Sequence, residues 1–120
     1  MELSSSWETR FLDEIDQAEA ARLVGNEGKA RVCARRAAAI IVREALRRQG
    51  ITIVDPSAYV QLRYFHELPH LPAHTREIIS HFLVRITTDG NLPIEADLID
   101  EARWLARELL SNPGSSQLTP

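Results

Sequence analysis

The chain has 120 residues, of which 44% are hydrophobic and 26% are charged, and its formal net charge at pH 7 is −3. These values are typical of one soluble globular domain, argue against wholesale disorder, and demand neither a nucleic acid nor a membrane as partner. No apolar run approaches the roughly 20 residues that span a bilayer. The N-terminus MELSSSWETR lacks the basic and apolar regions of a secretory signal, so we predict a cytoplasmic protein.

The first predicted helix runs from about Trp7 to Val24. Ser5 and Glu8 have the S-x-x-E spacing of a capping box, in which each side chain binds a free backbone N–H group at a helix start. Apolar residues then recur every three or four positions, and acidic residues crowd the remaining faces. The pattern predicts an acidic amphipathic helix that ends before a Gly-Asn pair.

The second predicted helix, from about Glu27 to Gln49, is the expected centre of the fold. Its apolar residues are mostly small and extend around most of the helix circumference, which is typical of a helix packed on several sides. Cys33 lies among them and is the only cysteine, so we expect a buried thiol and no intrachain disulfide. Gly50 suits the C-terminal capping position.

The next segment is predicted to be a linker followed by a third helix. The β-branched run Ile51–Val54 has no second strand to pair with, which favours an extended linker. Asp55 fits the N-cap of the third helix and Pro56 fits its first position. We expect this helix to reach His66 or Leu68, because two prolines then make a bend.

Two further helices complete the prediction. The fourth carries apolar residues from Ile78 to Ile86 and is expected to end before the turn Asp89-Gly90-Asn91. Pro93 is expected to open the fifth helix, which ends before the sequence NPG. Residues 1–112 are thus predicted to form one all-α domain, an antiparallel bundle of about five helices, and residues 113–120 a disordered tail.

The segment His66–His70, HELPH, matches the HExxH string that zinc proteases carry on a helix. That motif needs a continuous helix, which places both histidines on one face with the glutamate beside them. Pro69 is the fourth of the five residues, and a proline inside a helix costs about 3 kcal/mol. We therefore predict no metal site and expect three histidines at one end of the bundle. The alternative is a looser metal site formed by His66, His70 and His74.

The second helix also carries a basic stripe. Seven basic residues against one acidic residue between Lys29 and Arg48 give this segment a charge of +6. Four of the seven share one face at about 100° per residue: Lys29, Arg36, Arg43 and Arg47. Three interpretations stay open, namely internal pairing with the acidic first and fifth helices, an RNA or nucleotide surface, and an anionic protein partner.

Residues 7–111 resemble the HEPN domain in two segments, the Ala-rich helix ARVCARRAAAIIVREAL and the closing helix IEADLIDEARWLARELL. HEPN domains are small α-helical bundles that include toxin ribonucleases and partners of nucleotidyltransferases. Catalytic members work as dimers and carry an Arg that a short spacer separates from a His. Arg76 with His81, and Arg63 with His70, fit this pattern with spacers of four and six residues. The resemblance implies His81 as acid or base and Arg76 as the group that steadies the phosphate.

Our prediction is an interaction domain that catalyses no reaction and uses no cofactor. We expect it to form a homodimer and to bind a protein, nucleotide or RNA partner. Trp104 is a candidate contact, because its spacing places it outside the apolar stripe of the fifth helix. The alternative is a HEPN-like, metal-independent ribonuclease whose dimer cleft holds Arg76 and His81. Geometry separates the two hypotheses, since catalysis needs both side chains exposed and convergent.

Overall fold

The computed structural model describes residues 6–84 and 96–110, and these ranges form five α-helices. The helices are α1 (Ser6–Leu23), α2 (Glu27–Arg48), α3 (Ala58–His66), α4 (Ala73–Leu83) and α5 (Leu98–Leu109). The described ranges contain no strand, which confirms the predicted all-α bundle. Within them, no helix combines the length and the apolar character needed to cross a membrane.

Helix α2 is the centre of the bundle. It packs against α1, α3 and α5, while α4 packs on α3 and α5. Its buried apolar residues are mostly small: Ala30, Cys33, Ala34, Ala37, Ala38, Ala39, Ile41, Val42, Ala45 and Leu46. Short side chains let helix axes approach closely, so one helix can contact three others. Burial also raises the pKa of the Cys33 thiol, which keeps it protonated and unreactive.

Large side chains from the other helices fill the space around the alanines. The largest fully buried ones outside α2 include Phe82, Leu62, Ile79, Leu98, Ile99 and Leu105. Burying one such side chain contributes about 1.5–3 kcal/mol, so the core they form is the main source of stability.

The ends of α1 and α2 follow the local signals in the sequence. Gly25 and Gly50, with φ of +81° and +82°, take the left-handed backbone that glycine tolerates best. At the start of α2, the side chain of Asn26 accepts a hydrogen bond from the backbone N–H of Lys29 at 3.1 Å. The predicted bounds of both helices are therefore confirmed to within about a residue.

Helix α3 begins later than the prediction. Ser57 is its N-cap, and the Ser57 hydroxyl accepts a hydrogen bond from the N–H of Val60 at 3.3 Å. Asp55 instead accepts the N–H of Ser57 at 2.9 Å, outside the helix. Placing the N-cap at Asp55 and the first turn at Pro56 was wrong, because Ser57 satisfies the helix donors two residues further on.

The start of α5 also differs from the prediction. Asp97 is its N-cap and accepts hydrogen bonds from the N–H groups of Ile99 and Asp100 at 3.2 and 3.3 Å. The helix therefore opens at Leu98, after the non-helical Ala96 and Asp97. Several other predictions fall on residues outside the described ranges: Ser5, Ile86, the turn 89–91, Pro93 and the tail 113–120.

Arginines from other helices cap the C-terminal ends of α4 and α5. Arg35 of α2 donates to the carbonyl oxygens of Phe82 at 2.9 Å and Val84 at 3.1 Å, where α4 ends. Arg48 of α2 donates to the carbonyl oxygen of Leu110 at 3.4 Å, where α5 ends. A helix C-terminus has free carbonyls and a partial negative charge, so a cation is favourable there. Part of the basic charge of α2 therefore serves the fold.

Candidate functional site

The first candidate pair from the sequence, Arg76 and His81, lies on α4. The guanidinium of Arg76 donates to three backbone carbonyl oxygens, those of His66, of Leu68 at 3.0 Å and of Leu71 at 3.4 Å. These carbonyls belong to the end of α3 and the bend that follows it. Arg76 thus closes the α3–α4 bend in the way that Arg35 closes the end of α4.

His81 faces a different neighbour. Its Nδ1 lies 2.8 Å from Oε1 and 3.1 Å from Oε2 of Glu101 on α5, and both side chains are half-buried. A carboxylate can only accept, so Nδ1–H of His81 donates. Five residues along a helix turn the direction of a side chain by about 140°. Within one chain the structure does not bring the two groups together, and the catalytic role of Arg76 and His81 stays a prediction.

The histidines of HELPH lie where one helix has ended. Helix α3 stops at His66, His70 is exposed in the bend, and His74 is the second residue of α4. The ring of His74 packs edge-on against Trp104, with centroids 5.0 Å apart. Within residues 6–84 and 96–110, no group of three or more His, Cys, Asp or Glu side chains is placed to hold a metal ion.

The basic stripe is neutralised in part. Arg36 lies 4.0 Å from Glu14 of α1, and Arg47 lies 2.7 Å from Glu44 of its own helix. Lys29 and Arg43 are exposed and form no ion pair with another described residue. Pairing with the acidic first helix therefore accounts for one of the four stripe residues.

A depression of about 590 Å³ lies between the N-terminal end of α1, the C-terminal half of α2 and the extended segment after α2. We call it the arginine groove. The residues around it are Ser6, Trp7, Arg10, Ile40, Arg43, Glu44, Arg47, Arg48, Ile51, Thr52 and Ile53. Four arginines and one glutamate give the groove a net charge of +3, in a chain whose net charge is −3.

Glu44 holds two of the arginines in place. Its buried carboxylate accepts from Arg47 at 2.9 and 2.7 Å and from Arg48 at 3.0 Å. The guanidinium of Arg48 also lies over the ring of Trp7, 5.9 Å from its centroid. The hydrogen bond from Arg47 holds the pKa of Glu44 below its usual range, so the carboxylate stays ionised at neutral pH.

A second depression, of about 330 Å³, continues from the arginine groove along α1 and α2 and shares Arg10 and Arg43 with it. Here Asp13 and Glu14 offset the arginines, and Arg36 is the one additional cation. Oε1 of Glu14 is buried and accepts no hydrogen bond from a described residue. The positive charge is therefore concentrated in the arginine groove.

Two of the four groove arginines were predicted from the sequence. Arg43 and Arg47 belong to the predicted stripe and line the arginine groove, whereas Lys29 lies outside it. Arg10 and Arg48 were missed, because Arg10 comes from another helix and Arg48 lies off the stripe. One local signal was present, since Glu44 precedes Arg47 and Arg48 by three and four residues, the spacing of helical ion pairs.

A third depression, of about 350 Å³, lies between α4 and α5 and includes Trp104, the predicted contact residue. Its charged residues are balanced, with Asp100 and Glu101 against Arg103 and Arg107. Trp104 itself is half-buried and packs against the core, so its exposed area is limited. Neither Arg76 nor His81 lines any of these three depressions.

Comparison of the chain with protein-family models, with curated proteins and with solved structures gives no match. The resemblance to the HEPN domain therefore stays a prediction.

Acid is expected to destabilise the domain through two glutamates. Hydrogen bonds from arginine lower the pKa of Glu44, paired with Arg47, and of Glu27, paired with Arg22. A glutamate whose pKa is lower in the folded state stabilises the fold fully at pH values above its pKa in the unfolded state, about 4.3. This stability is lost as the pH falls toward the pKa of the folded state. The urea midpoint should therefore fall between about pH 5 and pH 3.

Two variants test the source of this acid sensitivity. Glu44→Gln is expected to flatten the fall in urea midpoint, since the amide does not titrate. Glu8→Gln, at an exposed position in the first turn of α1, should keep the wild-type slope. A slope in Glu44→Gln equal to that of the wild type would contradict the assignment.

Proposed function

We propose that this protein is a cytoplasmic, non-enzymatic interaction domain that binds the phosphate groups of a nucleotide or RNA partner in the arginine groove and works as a homodimer. The observation that carries the proposal is the placement of four arginines and a tryptophan around one depression of an otherwise acidic chain. Planar guanidinium groups bind phosphate oxygens through two parallel hydrogen bonds.

The charge of the groove is arranged for an anion. Glu44 fixes the guanidiniums of Arg47 and Arg48, which reduces the entropy lost when a ligand orders them. Arg10 and Arg43 form no ion pair with another described residue, so both guanidinium groups can contact the ligand. The first turn of α1 also borders the groove, and a helix N-terminus adds a partial positive charge.

The size and apolar lining of the groove suit a nucleotide. Its volume of about 590 Å³ lies within the range of about 300–1,000 Å³ that is usual for ligand sites. Trp7, Ile40 and Ile51 give it an apolar wall beside the arginines. Aromatic side chains of this kind stack on bases, at about 1–3 kcal/mol per base.

The groove supports binding better than catalysis. Among the described residues, its lining contains no histidine to act as a general base and no cysteine thiol. Its one carboxylate, Glu44, is engaged by two arginines. The groove can therefore hold a phosphate-bearing ligand, but its described residues supply no histidine and no uncommitted carboxylate to transfer a proton.

Replacing Arg43 with alanine is expected to weaken binding of a nucleoside triphosphate or a short single-stranded RNA about tenfold. For RNA, the slope of the logarithm of the binding constant against the logarithm of the salt concentration should also become shallower by about one. Titration calorimetry at two salt concentrations measures both quantities. Lys29→Ala is the matched control, because Lys29 lies on the same predicted stripe but outside the groove. Equal losses in the two variants, or no binding by the wild type at low salt, would contradict the proposal.

The alternative function, a metal-independent ribonuclease, has one observation in its favour. Glu101 holds Nδ1 of His81, which leaves Nε2 to accept or donate a proton. Against it, the guanidinium of Arg76 is already bound to backbone carbonyls. RNA cleavage by the wild type that is absent in His81→Ala and insensitive to EDTA would favour the ribonuclease over binding alone.

A further inference from the structure

Helix α3 presents an aromatic face to solvent. Tyr59, Val60 and Tyr64 are 43%, 38% and 44% exposed. They are three of the eight large hydrophobic residues exposed in the described ranges, and they lie in a helix of nine residues. The opposite face of α3 is buried on α2 and α4. Exposed apolar side chains are thus concentrated on one short helix, as at protein–protein contacts.

A pair of opposite charges completes this face. Arg63 and Glu67 are both exposed, and their Nε and Oε2 atoms lie 3.4 Å apart. At about 100° per residue, the two charges and the three apolar side chains span about 140° of the helix circumference. An exposed pair of this kind contributes little to folding, so each charge is free to exchange partners.

We infer that this α3 face is the contact between two copies of the chain, with their α3 helices antiparallel across a two-fold axis. Such an axis makes residue i contact residue j and residue j contact residue i. An axis that crosses the helices near Phe65 brings the two Tyr64 side chains beside each other. Arg63 of each copy also comes within reach of Glu67 of the other.

A second copy fits this face because the face is complementary to itself. One cation and one anion lie along the helix axis, so reversing the direction of the partner helix sets each charge against its opposite. Tyrosine is enriched at such contacts, where its ring is buried and its hydroxyl reaches the rim. The inference rests on the homodimer in the proposed function and uses no residue of the arginine groove.

Sedimentation equilibrium of the full chain tests the contact by charge reversal. Arg63→Glu and Glu67→Arg are each expected to raise the dimer dissociation constant about tenfold, because like charges then meet across the axis. The double variant Arg63→Glu/Glu67→Arg restores opposite charges and is expected to recover the wild-type constant. Circular dichroism checks that each variant keeps its helix content.

Leu23→Asp is the control, since Leu23 is an exposed apolar residue at the far end of α1. Its dissociation constant should equal that of the wild type. A dimer that survives both single reversals, or a loss that the double variant does not restore, would overturn the α3 contact while leaving the homodimer in place. A wild-type chain that stays monomeric would overturn the homodimer as well, and phosphate binding by the groove is measured independently of either result.

Discussion

Arg76→Gln is expected to lower the free energy of unfolding by about 2–4 kcal/mol, with the loss visible as a lower midpoint in urea denaturation. Arg76 lies in the first turn of α4 and donates to the carbonyl oxygens of His66, Leu68 and Leu71. These hydrogen bonds link the end of α3 to the start of α4. Hydrogen bonds from a charged donor are worth more than neutral ones, and glutamine is too short to reach all three acceptors.

The matched control is Arg103→Gln, at an arginine outside the α3 face whose partners Glu19 and Asp100 are both exposed. Its cost should stay below about 1 kcal/mol, as for other surface ion pairs. Equal stability of Arg76→Gln and the wild type would show that the guanidinium is free for another role. The result also affects the ribonuclease hypothesis, because activity lost in an unstable Arg76 variant says nothing about catalysis, whereas His81→Ala tests it directly.

Phe82→Ala is expected to cost about 3–5 kcal/mol, a large part of the 5–15 kcal/mol that stabilises a typical domain. Phe82 is fully buried and is the largest such side chain in the described ranges. Its removal leaves a cavity that the rigid helices around it can close only in part. Thermal and urea denaturation should both show the loss.

Two comparisons support this test. Phe82→Leu keeps most of the buried volume and should cost much less than the alanine variant. Leu23→Ala, at an exposed position, should change stability by no more than about 0.5 kcal/mol. If Phe82→Ala cost no more than Leu23→Ala, the side chain would not be enclosed by α4 and its neighbours.

The helices that were predicted correctly are those with strong local signals. Helix α2 has an apolar pattern over its whole length, with Asn26 as its N-cap and Gly50 just after its end. Each of these signals depends only on residues that are close in the sequence. The start of α3 was wrong because Asp55 and Ser57 are both good caps and lie two residues apart. Local propensity does not decide between them, and the packing of the helix does.

The candidate site depends more on tertiary packing than the helices do. A helical wheel identifies Arg43 and Arg47 as neighbours, but Arg10 joins them because α1 packs against α2. The wheel also cannot separate an arginine that meets a ligand from one that caps another helix. Arg35 and Arg76 look like any other arginine in the sequence, and the carbonyls they bind are set by the fold.

The arginines of the bundle bind two kinds of acceptor, carboxylates that acid protonates and backbone carbonyls that it does not. Glutamate partners such as Glu44 lose their charge in acid, whereas the carbonyl acceptors of Arg35, Arg48 and Arg76 have no charge to lose. The links that join α2 to α4, α2 to α5 and α4 to α3 therefore persist when the carboxylates are neutral. Acid should loosen the arginine groove while the attachments of the last three helices stay intact.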